Sequence, residues 1–414
     1  MKNKGIILWN KITEVLSLES LRNNLNKFIK GTDWVMMLLC LIASSFGALL
    51  VHSATLNTLT EDQVISRDTR TMILAIALGF IVAIIISLID YELIIKIWPA
   101  IATVALLLMV SLFFFGVGPD ARSDAKTWLK ITNSFYFQPS EVVKIAFVVT
   151  FSVHLELVSD KIDKVVNVVL LTFHAMIYAG LVAFTGDIGS AIVFLFIFVG
   201  MMFIANVKLR YFAIGILGVI AMIPIVWTKV FSEIQKERFL ALFFPESYAD
   251  VIYQQDNCIK AIGSGGFFGK GLFNGTFTQN SIVPESRNDM ILSVVGEELG
   301  FVGCLGLLIL FTLIVMRIIN NGRRSKDNSG SLVCYGLAFM ILSQIVINIG
   351  MCMQLLPVIG ITLPFMSAGG SSTLSIYVAI GLILSVYRQN IDTEPESFRM
   401  TGRITPYSNY RTKP

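Results

Sequence analysis

Three carboxylates lie within ten residues at the start of one long apolar segment. Asp289 ends the stretch Val283-Pro-Glu-Ser-Arg-Asn-Asp289, and Glu297 and Glu298 follow inside the apolar run. Acidic side chains at the entrance of a membrane span cost free energy unless they are paired or face a polar cavity, so their presence favours a functional role. A carboxylate that faces a partly dry cavity can act as a general base. Asp289 is therefore the candidate catalytic residue, with Glu297 as a candidate substrate contact.

A glycine-rich stretch with one lysine precedes these carboxylates, at Ala261–Gly271 and Asn274-Gly-Thr276. Glycines let backbone N–H groups approach an anion closely, and Lys270 adds a positive charge. No GK[ST] follows a strand, so the stretch is not a P-loop. The pattern predicts an anion-binding segment, and a flexible re-entrant turn is the alternative. Arg287 and Lys126 are two further candidate cations.

Two polar groups interrupt the apolar segments earlier in the chain. In Gln138-Pro-Ser-Glu141, the proline suits the first turn of a helix, and Glu141 lies three residues before Lys144, on the same helix face. An ion pair that orients this helix is favoured over direct catalysis. Asp187 lies in the turn Gly186–Ser190, where it either caps the following helix or contacts substrate.

Proline, glycine and serine are crowded into the last apolar segments. They fall at Asn348–Gly350, Leu356–Gly360 and Leu363–Ser372, and the last of these includes Ser371. Such breaks are tolerated where the freed backbone lines a cavity or packs on protein. Close helix packing through small residues is the alternative.

The composition requires a membrane environment for these residues. The chain has 414 residues, of which 55% are hydrophobic and 14% charged, and its mean hydropathy is +0.74. A soluble domain carries about a quarter charged residues. We therefore predict an all-α polytopic membrane protein with about ten transmembrane helices. The predicted spans are 33–54, 71–89, 94–117, 137–158, 165–185, 188–206, 211–230, 293–317, 331–355 and 363–387.

The placement of lysine and arginine predicts the orientation. With both termini in the cytoplasm, the inner segments hold 20 of the 32 Lys and Arg residues. Residues 231–289 then form a long extracytoplasmic loop between spans 7 and 8. A continuous kinked helix across Gly186-Asp187 is the alternative that changes the count.

The sequence also predicts the character of the two segments that flank the membrane domain 33–390. Residues 1–32 have apolar side chains at helical spacing between lysines, which indicates a cytoplasmic amphipathic segment or a loosely ordered tail. Residues 391–414 form a polar tail, predicted to be disordered and cytoplasmic. The five cysteines and three histidines are scattered, so the sequence supports neither a disulfide framework nor a metal site built from them.

Taken together, these motifs resemble the SEDS family, whose members RodA, FtsW and SpoVE polymerise glycan strands from lipid II. The resemblance covers about residues 33–390, and the GKG…GT form favours the RodA (elongation) branch. The motifs are Trp128-Leu129, QPSE…K at 138–144, DIGS at 187–190, IGSGG…GKG…GT at 262–276, PE…D…EELG at 284–300, NIG at 348–350, LPV.G at 356–360 and LP..S.GGSS at 363–372.

The chain departs from the family pattern at four places. Arg287-Asn288 stands where the family usually has His-Thr, and Ala368 where it has Tyr. Thr127, beside Lys126, replaces an arginine, and Gly186 replaces a proline. The essential aspartate of the family falls on Asp289. The pattern indicates a divergent member.

The resemblance implies a peptidoglycan glycosyltransferase that works at the outer face of the bacterial cytoplasmic membrane, with inversion at the sugar. Asp289 is then the general base, and Lys270, Arg287 and Lys126, or a divalent cation such as Mg²⁺ or Mn²⁺, hold the leaving pyrophosphate. The further candidate substrate contacts are Trp128, Glu141, Lys144, Asp187, Glu297 and Ser371.

The resemblance also implies partners, and two other functions stay open. The expected partners are lipid II, a class B penicillin-binding protein (the transpeptidase) and membrane lipids, with no nucleic acid. A flippase or transporter of lipid-linked sugar is one alternative, because broken helices and charges at span ends occur in transporters too. A catalytically weak scaffold that activates a partner synthase is the other.

Overall fold

A computed structural model describes residues 29–60, 62–118, 125–132 and 136–393. Nearly all of the predicted amphipathic segment 1–32 and of the polar tail 391–414 lies outside these ranges. The described chain is a helical bundle with one small sheet. Its fourteen helices are α1 Trp34–Thr55, α2 Arg67–Leu88, α3 Tyr91–Lys96, α4 Trp98–Phe115, α5 Pro139–Leu157, α6 Val165–Phe184, α7 Ile188–Ile204, α8 Leu209–Ile225, α9 Glu233–Ala241, α10 Ala249–Ser264, α11 Thr276–Gln279, α12 Ile291–Arg323, α13 Asn328–Cys352 and α14 Gly370–Thr393.

Each of the ten predicted spans overlaps one long helix of the structure, although the last of these helices begins at Gly370 and not at residue 363. In the described residues, α1, α2, α4, α6, α8, α12, α13 and α14 are long and apolar enough to cross a membrane. The helix α7 is apolar but has 17 residues, and α5 carries Glu141, Lys144 and Glu156 within 19 residues. The prediction of a polytopic all-helical membrane protein is confirmed, and the number of ten crossings stays a prediction.

The turn between α6 and α7 separates two helices. The first helix ends at Phe184 and the second begins at Ile188, and Gly186 between them has φ +86°. A side chain with a Cβ rarely adopts that conformation, so glycine fits the turn. The alternative of one continuous kinked helix does not hold here.

The helix α5 lies at the centre of the bundle. Fifteen of its nineteen residues are buried, and Pro139 occupies its first turn. Close packing elsewhere depends on small residues: a Cβ on Gly79 of α2 would lie 2.6 Å from the Tyr377 ring of α14. By contrast α8 has no buried residue among the described parts of the chain, and it lies at the periphery.

A sharp kink divides α12. Gly300 has φ +66° and ψ −160°, so residues 291–299 form a separate short helix before the long segment 301–323. Every residue from Ile291 to Glu298 is buried. The predicted span 293–317 is therefore longer in the structure, and its two acidic residues lie on a buried half-helix.

Three short strands precede α5. They are β1 Gly116–Val117, β2 Trp128–Lys130 and β3 Tyr136–Phe137, and β2 pairs antiparallel with both others. The all-α prediction did not include this sheet. The predicted long loop 231–289 also contains the helices α9, α10 and α11.

Two features lie away from the start of α12. His154 of α5 and His174 of α6 stack, with their Nδ1 atoms 3.0 Å apart, so these two histidines pack against each other. A cavity of about 610 Å³ opens between the far ends of α5, α7, α12 and α13, and Glu156 and Arg323 contribute to its lining. Because it lies near the end of α12, the cavity is remote from the carboxylates at the start of that helix.

Candidate active site

The segment that carries the candidate base is held by its backbone. The carbonyls of residues 287, 288 and 289 each accept a hydrogen bond, from Ala368 N at 2.9 Å, Ser367 Oγ at 2.7 Å and Asn348 Nδ2 at 2.7 Å respectively. These donors come from two of the Pro, Gly and Ser-rich stretches. The break expected at 348–350 is not one, because Asn348 lies within the continuous helix α13. The two stretches therefore fix the position of the Asp289 backbone, while its side chain stays partly exposed.

Asn348 connects this segment to a third stretch of chain. The side chain is fully buried in α13, and its amide also donates to the Ile361 carbonyl at 2.8 Å. Ser367 Oγ accepts a bond from Leu363 N at 2.8 Å in addition to its donated bond. The NIG and LP..S motifs thus act together as a hydrogen-bonded clamp.

Arg287 forms an ion pair with Asp68, which the sequence did not indicate as a site residue. Its Nη1 lies 2.9 Å from Oδ2 of Asp68 in the first turn of α2, and the two side chains are 44% and 39% exposed. Asp68 was missed because 219 positions separate the partners in the sequence. The only local signal was an acidic residue at a helix start.

Lys270 and Glu297 form a second, separate cluster. Lys270 Nζ and Phe277 N both donate to Oε1 of Glu297 at 2.8 Å. Thr278 donates to Oε2 from its backbone N at 2.9 Å and its Oγ1 at 2.8 Å. Glu297 is fully buried and Lys270 is 28% exposed. The lysine charge is therefore compensated by a buried carboxylate.

The glycine-rich stretch packs against the first half of α12. A Cβ on Gly265 would lie 2.0 Å from the Gly296 carbonyl oxygen, and one on Gly269 would lie 2.2 Å from that of Glu298. The N–H groups of residues 270 and 271 donate to the carbonyls of residues 297 and 298, at 3.0 and 2.9 Å. The expectation that these N–H groups face an anion is therefore wrong, because α12 occupies them.

Glu298 differs from its neighbour Glu297. It is fully buried, and its Oε1 accepts bonds from Ser53 Oγ at 2.6 Å and from Gln279 Nε2 at 3.3 Å. Its Oε2 has no hydrogen-bond partner among the described residues. Both adjacent carboxylates thus contact α11, Glu297 together with the glycine-rich stretch and Glu298 together with the end of α1.

Asp187 connects two motifs. Its Oδ1 accepts the Ser190 N–H at 2.9 Å, which is a helix cap, and its Oδ2 accepts bonds from Ser140 Oγ at 3.1 Å and Gln138 Nε2 at 3.2 Å. The capping interpretation is confirmed. The carboxylate also ties the start of α5 to the start of α7.

Glu141 and Lys144 form the ion pair that their spacing predicts. Lys144 Nζ lies 2.8 Å from Glu141 Oε1, and both side chains are buried. Ser375 Oγ of α14 donates to Glu141 Oε2 at 3.2 Å. The pair therefore joins α5 to α14, as expected for an ion pair that orients the helix.

The sheet brings the remaining candidates to the same end of the bundle. Trp128 pairs with Val117, and Lys126 is exposed, with its backbone N donating to the Thr185 carbonyl at 2.8 Å. Ser371 Oγ donates to the Tyr136 carbonyl at 3.2 Å, which joins α14 to β3. The site thus has two parts, one around Asp289 and one around Asp187 and the sheet, bridged by residues 367–371.

Comparisons with known proteins agree with this architecture. The family model for the cell cycle proteins FtsW, RodA and SpoVE matches residues 33–391. A probable peptidoglycan glycosyltransferase FtsW from Geobacter sp. (strain M18) is 30% identical over 86% of this chain and 97% of its own length. The peptidoglycan glycosyltransferase MrdB of Escherichia coli (strain K12) is 31% identical over 86% of this chain and 93% of its own length.

Solved structures show the same fold. One of them is described as "Structural coordination of polymerization and crosslinking by a peptidoglycan synthase complex". It matches this chain with a TM-score of 0.72 at 24% sequence identity, and the match covers 87% of this chain and 98% of the other. The rod shape determining protein RodA of Thermus thermophilus matches with a TM-score of 0.64 at 23% identity, over 87% and 97%. With the family model matching nearly the whole membrane region, the chain belongs to the FtsW, RodA and SpoVE family, the SEDS family.

Proposed function

We propose that this protein is a peptidoglycan glycosyltransferase that polymerises lipid II at the outer face of the bacterial cytoplasmic membrane. The observation that carries the proposal is the geometry of Asp289. Three donors pin the carbonyls of residues 287–289, while the Asp289 side chain stays partly exposed two residues from a guanidinium. The activity in the names of the relatives supports the same reaction.

The reaction assigns a proton transfer to Asp289. Its carboxylate takes the proton from the 4-hydroxyl of the acceptor sugar as that oxygen attacks the anomeric carbon of the donor. The bond from the anomeric carbon to the pyrophosphate oxygen breaks, and the lipid pyrophosphate leaves with the electron pair. One displacement inverts the anomeric carbon.

The leaving pyrophosphate needs positive charge, because negative charge develops on it as the bond breaks. Arg287 is 44% exposed and close to Asp289 in the chain, and Lys126 is exposed at the sheet. Lys270 is 28% exposed, but its charge is paired with Glu297. We therefore assign the main role to Arg287, with Lys126 and Lys270 as supporting cations.

The roles of the other candidate site residues follow from how deeply each side chain is buried. Glu141, Lys144 and Asp187 are buried in hydrogen bonds, which supports a role in holding the walls of the site. Trp128 is partly exposed and remains a candidate substrate contact. Ser371 and Glu297 are buried and bonded, so they support neighbouring backbone segments.

A divalent cation at the pyrophosphate remains a prediction. Within the described residues, no three His, Cys, Asp or Glu side chains converge into a set that could hold a metal ion. The residues therefore do not form a preassembled metal site, and no step of the mechanism is routed through one.

The partner and the orientation are also proposals. One structural neighbour belongs to a complex that couples polymerization and crosslinking, which supports a class B penicillin-binding protein as the partner of this chain. The GKG…GT form of residues 269–276 supports a role in elongation or shape control. Lysine and arginine placement supports both termini in the cytoplasm.

Purified protein incubated with lipid II tests the proposal. Asp289→Asn removes the base but keeps the shape of the side chain, so we expect a loss of polymerisation by a factor of about 10² to 10⁴. Asp256→Asn is the matched control, because Asp256 is an exposed carboxylate on α10 that pairs only with Lys260 among the described residues. Wild-type polymerisation by Asp289→Asn would refute the assignment of the base.

The same assay separates the alternatives. Transfer of lipid II across a vesicle bilayer without polymer would identify a flippase, and neither transfer nor polymer without the partner would identify a scaffold. The buried acidic residues support surface chemistry, because Glu141 lies in the first turn of α5, and Glu297 and Glu298 lie in the short helix that precedes the kink of α12.

A further inference from the structure

The ion pair between Arg287 and Asp68 is not used by the mechanism above. Arg287 occupies a position where the family pattern has His, and its partner lies in another element, the first turn of α2. Because the Arg287 carbonyl is bound by Ala368 N at 2.9 Å, the base of the arginine side chain is fixed. The position of the Arg287 guanidinium then depends on the conformation of its long side chain and on the group that this side chain contacts.

Asp68 lies on a well-anchored helix end. Ser66 caps α2 by accepting the Thr69 N–H at 3.1 Å, and Thr55 at the end of α1 donates to Ser66 Oγ at 2.8 Å. Arg70 is occupied elsewhere, because its Nε and Nη2 donate to the Ile65 carbonyl at 3.2 and 3.1 Å. The Asp68 carboxylate is therefore a fixed point to which the Arg287 guanidinium binds.

We propose that Asp68 is a positioning residue that holds the Arg287 guanidinium at the rim of the site, and that the guanidinium held there binds the pyrophosphate of the lipid-linked donor. The inference rests on the proposed function. Both partners are exposed, so a donor that reaches the rim can contact the guanidinium. A guanidinium binds phosphate oxygens through two parallel N–H bonds, so its orientation decides whether both bonds form.

The proposal predicts a particular pattern in the kinetics. Arg287→Ala removes a charged hydrogen-bond donor that contacts the pyrophosphate both before and during bond breaking, so we expect KM for lipid II to rise about tenfold and kcat to fall. Asp68→Asn leaves Arg287 in place but unoriented, so we expect a rise of about threefold with kcat unchanged. Because Asp68 acts only through Arg287, the double variant should have the KM of Arg287→Ala alone.

Several results would overturn the proposal. One is a double variant in which the two effects multiply, and another is a fall in kcat with KM unchanged in Asp68→Asn. Arg287→Lys should fall between wild type and Arg287→Ala in KM, because the charge is kept and the fork is lost. An Arg287→Lys KM equal to that of Arg287→Ala would also count against the pyrophosphate contact.

A matched control is available on the same side of the bundle. Asp256 and Lys260 form an exposed ion pair of similar exposure on α10, and their single and double variants should leave KM unchanged. Thermal midpoints of all variants within a few degrees of wild type exclude a general folding effect.

The assay also distinguishes failure of the inference from failure of the proposed function. If Asp289→Asn still polymerises lipid II, the assignment of the base fails. The double-mutant cycle between Asp68 and Arg287 can still be measured from the KM values of the same variants. If no form of the protein polymerises, the proposed function fails, and fluorescent lipid II binding supplies the affinities for the same cycle. Equal dissociation constants for wild type, Asp68→Asn and Arg287→Ala would refute the inference.

Discussion

Neighbouring Glu297 and Glu298 show how two identical side chains acquire different roles. Both are fully buried, but Glu297 accepts four hydrogen bonds and pairs with Lys270, while Glu298 accepts bonds at one oxygen only. Removing one partner of a buried ion pair leaves an uncompensated charge, which is strongly destabilising. A residue without a cationic partner tolerates a neutral replacement better.

We therefore expect Glu297→Gln and Glu298→Gln to differ. The first removes the countercharge of Lys270 and turns an amide NH₂ toward the donors of Thr278, so it should cost about 3 kcal/mol of stability. The second keeps an acceptor for Ser53 and should cost about 1 kcal/mol or less. Thermal unfolding of the purified proteins measures both, and equal losses would show that this description of the two carboxylates is wrong.

At the scale of elements, the kink of α12 links the glycine-rich stretch to the candidate site. The short helix 291–299 begins two residues after Asp289, and the carbonyls of residues 297 and 298 accept the N–H groups of residues 270 and 271. A Cβ on Gly300 would lie 2.3 Å from the backbone N of Gly269, and its φ is +66°. The position therefore excludes other residues on two independent grounds.

Gly300→Ala should accordingly be damaging, while Gly306→Ala on the same helix should be tolerated. The first substitution combines a backbone clash with a positive φ, so a loss of at least about 2 kcal/mol is expected. At Gly306 a Cβ meets no atom of the described chain within 4 Å, and alanine favours helix by about 1 kcal/mol. Thermal midpoints and polymerisation rates measure the difference, and a neutral Gly300→Ala would contradict it.

The sequence predicted what depends on neighbours in the chain. The apolar segments, the Glu141–Lys144 pair and the cap by Asp187 all follow from spacing within one element. Two contacts could not be predicted, the hydrogen bonds from the N–H groups of Lys270 and Gly271 to α12 and the pairing of Arg287 with Asp68. Each joins elements that meet only in the folded bundle. The kink at Gly300 belongs to the same class, because it depends on the approach of Gly269.

On the scale of the whole molecule, the bundle has two chemically different ends. At one end lie Asp289, Asp187 and the sheet. At the other, Asp33 caps α1 and accepts bonds from Arg317 at 2.7 and 2.8 Å, close to where α12 ends. Many large apolar side chains between the two ends are exposed, as expected for a surface in contact with lipid. The function proposed here requires the Asp289 end to face outward, where lipid-linked sugar is polymerised.

Cysteine labelling tests this orientation. Lys260 on α10 is exposed near the Asp289 end, and Arg324 after α12 is exposed at the opposite end, so each can be replaced by cysteine with little structural cost. The native cysteines are free and mostly buried, so the unsubstituted protein supplies the background. With both termini in the cytoplasm, a membrane-impermeant maleimide should label Lys260→Cys in intact cells, and Arg324→Cys only after the membrane is opened. Labelling in the reverse order would place Asp289 in the cytoplasm and exclude polymerisation at the outer face.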